Sequence, residues 1–264
     1  MKEYRISFIG AGKVSGALCR HFLRSGSRIL KIVSPTAKRG TALALSCNAE
    51  WSEEYDFTGS EDLIIAAVPD DKLTGILARI TCAGNTIVAH TAGSLGLDIF
   101  PSFLKRTGVF YPLQTFSENR TISFKNLPFF VEASDPHSLQ LLVDIAEAAG
   151  GKVHVTDTES RNLLHVAAVF ACNFTNHMMT AGKQITERAG FPFEILEPLI
   201  IETVTKALED DPENSQTGPA FRNDRGTIKK HIDLLSFSPE LQGIYKEVTR
   251  SIIEFHNNGP DDQF

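Results

Sequence analysis

Gly10 and Gly12, in the run Ile9-Gly10-Ala11-Gly12-Lys13-Val14, stand between a short apolar stretch and the first turn of a helix with an apolar stripe. Glycines at that spacing can hold a pyrophosphate. The first permits a tight turn and the second lets the backbone approach the ligand, while the helix turns its free N–H groups and positive dipole end towards the phosphates. The third small position is filled by Ser15, with Gly16 beside it. A second group of residues lies further on. Ala67-Val68-Pro69 and His90-Thr91 each close a buried apolar run, the place where open parallel sheets bind ligands. Of all side chains, histidine has the unperturbed pKa nearest neutrality. His90 could therefore give a proton to a carbonyl or imine receiving a hydride, or only hydrogen-bond the backbone of its own loop.

The base specificity of such a site is read about twenty residues beyond the glycines, where an acid usually holds the ribose 2′-hydroxyl of NAD. This chain places no acid there before Glu50; it offers Ser34, Thr36, Lys38 and Arg39, which suit a 2′-phosphate. The expected cofactor is NADP, with NAD the less favoured choice. The expected cofactor contacts are Gly10, Ala11, Gly12, Lys13, Val14, Ser34, Thr36, Lys38, Arg39, Ala67, Val68, Pro69 and Thr91.

The elements that must position these residues follow in order. Ile6–Ile9, Arg28–Val33, Asp62–Pro69 and Thr86–Ser94 read as strands, with helices over Lys13–Leu23, Thr41–Cys47 and Lys72–Ile80 between them. One of Asp70 and Asp71 is expected to cap the third helix rather than to bind metal, and no metal site is predicted. Gly108–Phe116 and Pro128–Glu132 continue the sheet, Ser138–Ala149 is a helix stopped by Gly150-Gly151, and Lys152–Val155 is a last strand. From Asp157 the periodicity is helical to the end, and Leu163–Phe174 is apolar nearly all round. A helix apolar on every side must be covered on every side, which predicts a homodimer core. The fold class is therefore α/β, an N-terminal Rossmann doubly wound parallel sheet over 1–156 followed by an all-helical domain over 157–256 and a loose tail over 257–264.

Composition narrows the partners. A chain of 264 residues with net charge −6 has no basic field to hold nucleic acid or an acidic membrane, and no apolar run of membrane-spanning length. Cys19, Cys47, Cys82 and Cys172 are widely spaced and form no Cys-x-x-Cys pair, so they read as reduced, mostly buried thiols. With the first strand beginning almost at once, the expected location is cytoplasmic.

These pieces, in this order, resemble a family of Rossmann-like oxidoreductases with an all-helical C-terminal domain of unknown function. That family is similar in layout to pyrroline-5-carboxylate reductase, ketopantoate reductase and the 6-phosphogluconate dehydrogenase group. The resemblance is carried by Ile9-Gly10-Ala11-Gly12, Ala67-Val68-Pro69-Asp70-Asp71, His90-Thr91-Ala92-Gly93, Pro112-Leu113-Gln114-Thr115-Phe116, the run His165 to Asn173, and Thr217-Gly218-Pro219 with Arg222 and Asp224. Two positions depart from the family pattern: Tyr111 stands where the family has His, and Ala92 where it has Ser. Tyr can still donate a hydrogen bond. The resemblance implies an NADP-dependent oxidoreductase that reduces a small-molecule carbonyl or imine in an interdomain cleft. It implies substrate contacts for His165 and Asn173, about 80° apart around one regular helix, the alternative being a pair of buried polar groups that fix the helix interface by hydrogen bonds. Arg222 could clamp a carboxylate, while Asp224 could as easily cap the next helix. The candidate catalytic set is His90, His165, Asn173, Gln114 and Arg222, with His90 the first candidate for the acid. The rival reading is a cofactor-binding regulatory or sensor protein that uses the fold without turnover.

Overall fold

A computed structural model describes residues 3–57, 59–117, 120 and 122–257 of the chain. The expected tail lies outside these residues, apart from Asn257, the end of the last helix. The chain forms two compact units, Met1–Ala171 and Cys172–Phe264. Strand signals stop at 156, yet the first unit keeps the helix that follows, because that helix is tied to the sheet by a buried ion pair described below.

The first unit runs β1 (Arg5–Ile9), α1 (Lys13–Arg24), β2 (Arg28–Val33), α2 (Ala37–Ser46), β3 (Glu50–Ser52), β4 (Asp56–Phe57), β5 (Leu63–Ala66), α3 (Asp70–Leu77), β6 (Thr81–Cys82), β7 (Ile87–His90), β8 (Thr107–Pro112), β9 (Pro128–Ala133), α4 (Pro136–Ala148), β10 (Lys152–Val155) and α5 (Thr158–Ala168). Eight strands make one sheet in the order β10-β9-β8-β7-β5-β1-β2-β3, and β4 pairs with β6 apart from it. Successive side chains of a strand point to opposite faces, and here both faces are buried. Ile6, Phe8, Leu63, Ile65, Ile87 and Ala89 join Leu18, Phe22 and Leu142 in one core, whereas Ile9, Ile64, Ala66 and Val88 join Leu73 and Leu77 in another. That double burial is why these runs are apolar without alternation.

The sheet is not parallel throughout. β8 and β9 are antiparallel, and β10 runs with β9. A parallel return requires a crossover, usually a helix. The segment 113–127 carries no helix among its described residues, so the chain comes back the other way. Gly150, at φ +79°, ends α4 in the left-handed conformation expected of a C-terminal cap. The capping expected of Asp70 or Asp71 is not what forms: Pro69 is the N-cap of α3, and Asp71 makes only an exposed pair with Lys72.

The helix that opens with α5 continues as a π-helical stretch, Val169–Phe174, into α6 (Thr175–Arg188). The angle expected between His165 and Asn173 presumed a regular α-helix and does not hold across that stretch. In the second unit α6 is followed by α7 (Glu197–Glu209), α8 (Pro212–Ser215), α9 (Arg225–Leu234) and α10 (Pro239–Asn257). Asp224 caps α9, accepting from the Thr227 N–H at 3.0 Å and hydroxyl at 2.8 Å, which lowers its pKa. Only Ala220, Leu235, Leu241 and Thr249 are buried among the described residues of this unit. Large apolar side chains instead stay open, among them Leu199 at 64%, Ile201 at 59% and Leu208 at 82% exposure. All four cysteines are free, Cys19 and Cys47 buried, Cys82 half-buried and Cys172 exposed.

Candidate active site

The site begins where β1 ends. Gly10 N–H donates to the Val33 carbonyl at 2.8 Å, and Ala67 N–H to the Ile9 carbonyl at 2.8 Å, so the ends of β1, β2 and β5 are locked together. Gly10 has φ +103°, and a Cβ there would run into the Ala67 carbonyl oxygen; torsion and space both demand glycine. Gly12 is different. It is the N-cap of α1, exposed, and a Cβ there would meet nothing within 4 Å. No side chain caps α1 and no acid stands in its first turn, which leaves its N–H groups and dipole to an anion. Ser15 is fully buried at the third small position.

Beside this turn lies a cavity of about 310 Å³, lined by Gly12, Lys13, Val14, Ala67, Val68, Pro69, Asp70, Thr91 and Ala92. A second cavity of about 350 Å³ shares Gly12 and Lys13 and adds Ala11, Arg20 and Arg39 among its walls. The sequence-predicted cofactor contacts thus converge on one edge of the sheet, with one exception. Ser34 is buried, and its Oγ accepts from the Thr36 N–H at 3.2 Å. That hydroxyl belongs to the turn before α2, whereas Thr36, Lys38 and Arg39 are exposed on its start. A nicotinamide dinucleotide fits these residues: the unneutralised start of α1 faces a cavity whose walls come from the ends of three strands.

The loop after β7 completes the edge, and it corrects the expectation for His90. The ring is fully buried and stacked on Phe100, its Nε2 lies 3.3 Å from the Gly96 carbonyl, and its Nδ1 accepts from the Ala92 N–H at 3.2 Å. Burial lowers its pKa to about 4, so His90 is a neutral post that shapes the loop. Arg161, Asn162 and Asp70 hold the same loop. Arg161, fully buried, donates to the Leu95 carbonyl at 2.6 Å and to Glu132 Oε2 at 2.5 Å, while Thr158 Oγ1 donates to the same carboxylate at 2.9 Å. Asn162, with its amide nitrogen facing the loop, donates to the Ser94 carbonyl at 3.1 Å and the Gly93 carbonyl at 3.2 Å. Ser94 Oγ donates to Asp70 at 2.5 Å.

Against this fixed loop sits a pair that could move a proton. Tyr111 Oη lies 3.1 Å from His165 Nδ1, both residues being half-buried. Gly93 makes the pair possible, since a Cβ there would stand 2.7 Å from His165 Nδ1 and 2.9 Å from Tyr111 Cζ. His165 is therefore brought to the loop two residues from Thr91, and His90 is buried behind it. Gln114 is exposed, its Oε1 accepting from the Thr115 N–H at 2.8 Å. Asn173 and Arg222 are exposed residues of the second unit. Sequence reasoning passed over Arg161, Asn162 and Gly93. Arg161 and Asn162 lie one turn before His165 on α5, but nothing local marks them, because the groups they bond lie far away in sequence. Among the described residues no group of three or more His, Cys, Asp or Glu could hold a metal ion, and no helix is long and apolar enough to cross a membrane.

A Rossmann-like domain profile matches residues 2–114, and the profile of a domain of unknown function, DUF2520, matches residues 127–252. No protein of curated function matches the chain. Among solved structures, a Bacteroides fragilis protein classed as an NADP oxidoreductase is 35% identical, covering 96% of this chain and 98% of its own, at a TM-score of 0.86. A reductive aminase from Aspergillus terreus, solved with NADPH, covers 98% of this chain and 97% of its own at 13% identity and a TM-score of 0.70. The 1-pyrroline-5-carboxylate reductase of Streptococcus pyogenes covers 95% and 98% at 13% identity and a TM-score of 0.62. The last two share the fold. With one relative at 35% identity over nearly its whole length and both domain profiles in order, the chain belongs to the family in which a Rossmann-like domain precedes DUF2520.

Proposed function

We propose that the protein is an NADP-dependent oxidoreductase of small molecules that reduces a carbonyl or imine. The observation that carries this reading is the uncapped start of α1: Gly10 packed on the Ala67 carbonyl, Gly12 open, and a cavity running to Thr91. When bound there, the nicotinamide supplies the hydride. The chain's own residues hold and orient. Gly12, Lys13 and Val14 face the phosphates with backbone N–H groups, and Lys38 and Arg39 offer charge to a 2′-phosphate. His165 hydrogen-bonds the oxygen or nitrogen of the reacting bond, in place of the buried His90. Gln114, Asn173 and Arg222 are proposed substrate contacts, each to be tested by substitution.

The working form is a homodimer through the helical unit, which cannot bury its own apolar side chains, and a cytoplasmic location suits a chemistry that draws on reduced nicotinamide. The test is NADPH consumption by purified protein against a panel of small keto acids, ketones and cyclic imines. Consumption that needs both substrate and His165, lost in His165→Ala, supports the reading. Tight NADPH binding with no consumption across the panel, in wild type as in the variant, favours the non-catalytic sensor.

A further inference from the structure

We propose that Tyr111 is a positioning residue that sets the tautomer of His165, holding the neutral ring with its proton on Nε2. The proposal rests on the reading of His165 as the group that meets the substrate, and it names what prepares it. Two arrangements are compatible with an Oη to Nδ1 distance of 3.1 Å: the phenol donates to Nδ1, or Nδ1–H donates to the phenol oxygen. Acidity separates them. A phenol near pKa 10 is a better donor than a neutral imidazole N–H, and an imidazole nitrogen is a better acceptor than a phenol oxygen. The favoured arrangement is O–H to Nδ1, which leaves the proton of the neutral ring on Nε2.

The surroundings keep the pair in place. The two rings meet edge to face, with centroids 5.9 Å apart and planes at 70°, so the contact is at the polar edge and not through stacking. Gly93 backs both rings, and its carbonyl is held by Asn162, whose neighbour Arg161 anchors Leu95. The contrast with His90 is instructive, because there the loop engages both ring nitrogens. At His165 Tyr111 engages Nδ1, and Nε2 has no hydrogen-bond partner among the described residues. A neutral histidine held this way offers one N–H, at a fixed position, to a carbonyl oxygen or an imine nitrogen. Tyr111 acts through it and need not touch substrate.

The test is long-range proton–nitrogen correlation NMR of the imidazoles in ¹⁵N-labelled full-length protein, at a pH where the ring is neutral. His165 is assigned by the signal lost in His165→Gln. The expected spectrum shows a pyridine-like Nδ1 and a protonated Nε2 in the wild type. Tyr111→Phe keeps the ring contact and removes the hydroxyl; it is expected to shift the tautomer ratio roughly five- to tenfold towards Nδ1–H, the equilibrium worth of one hydrogen bond. A protonated Nδ1 in the wild type, or the same ratio in both proteins, overturns the proposal. Should Tyr111→Phe fail to fold, which circular dichroism will reveal, the wild-type spectrum alone decides. The measurement needs no substrate, so a protein that never turns over would end the oxidoreductase reading without touching this one.

Discussion

At the scale of single residues, what a side chain can do is set by what its neighbours leave unused. His90 and His165 have the same chemistry and opposite fates. Burial holds His90 near pKa 4, below its ordinary value of 6.5, so the unfolded chain binds the extra proton between those values and stability rises with pH across that window. The contribution, roughly 3 kcal/mol, is complete above about pH 6.5 and lost as pH falls to about 4. Denaturant unfolding of wild type against His90→Gln should show that slope in the wild type and its loss in the variant; equal slopes would contradict the buried neutral assignment. The glycines were legible in the sequence because their demand is local, a positive φ and a close approach at Gly10. The fate of His90 was not, since its partners Gly96 and Phe100 reach it only through the path of the loop.

At the scale of elements, α5 is fastened to the sheet by one buried ion pair. Arg161 has no exposed side-chain surface and Glu132 has 19%, so Arg161→Met leaves a largely buried carboxylate without its cation. Such a loss costs about 3–5 kcal/mol, and it should appear as a lower Tm in calorimetry together with reduced NADPH consumption, because the loop from Thr91 to Gly96 loses its anchor at Leu95. Unchanged stability would mean that the pair does not hold α5. The start of α2 makes a different prediction. Lys38→Ala with Arg39→Ala should weaken NADPH binding about tenfold or more and NADH binding little, as expected for charge-assisted bonds to a 2′-phosphate. The helices and the longer strands could be read from apolar runs and stops. β3, β4 and β6 could not, being two or three residues long and without a pattern of their own, and neither could the π-helical stretch after Ala168. Arg161 was missed for a related reason: its partners lie 29 and 66 residues away in sequence.

At the scale of the whole molecule, the two units divide the work unequally. The first has two cores, one on each face of its sheet, whereas the second has four buried residues among those described and a wide apolar surface. Exposed apolar area of that extent marks an interaction surface, and a second copy of the same helices is the partner we propose for it. Light scattering should give twice the chain mass, and Leu199→Glu with Ile201→Glu should shift it towards monomer; a monomeric wild type would contradict the dimer. The apolar helix from Leu163 carries the same expectation in the sequence, because a small helical unit can hardly cover such a face alone. The central claim, a nicotinamide dinucleotide held at the start of α1, has a more direct test. Fluorescence titration of the purified protein with NADPH and NADH, beside Gly10→Ala, should show saturable binding that is tighter for NADPH and lost in the variant. Failure of the wild type to bind either nucleotide would contradict the account.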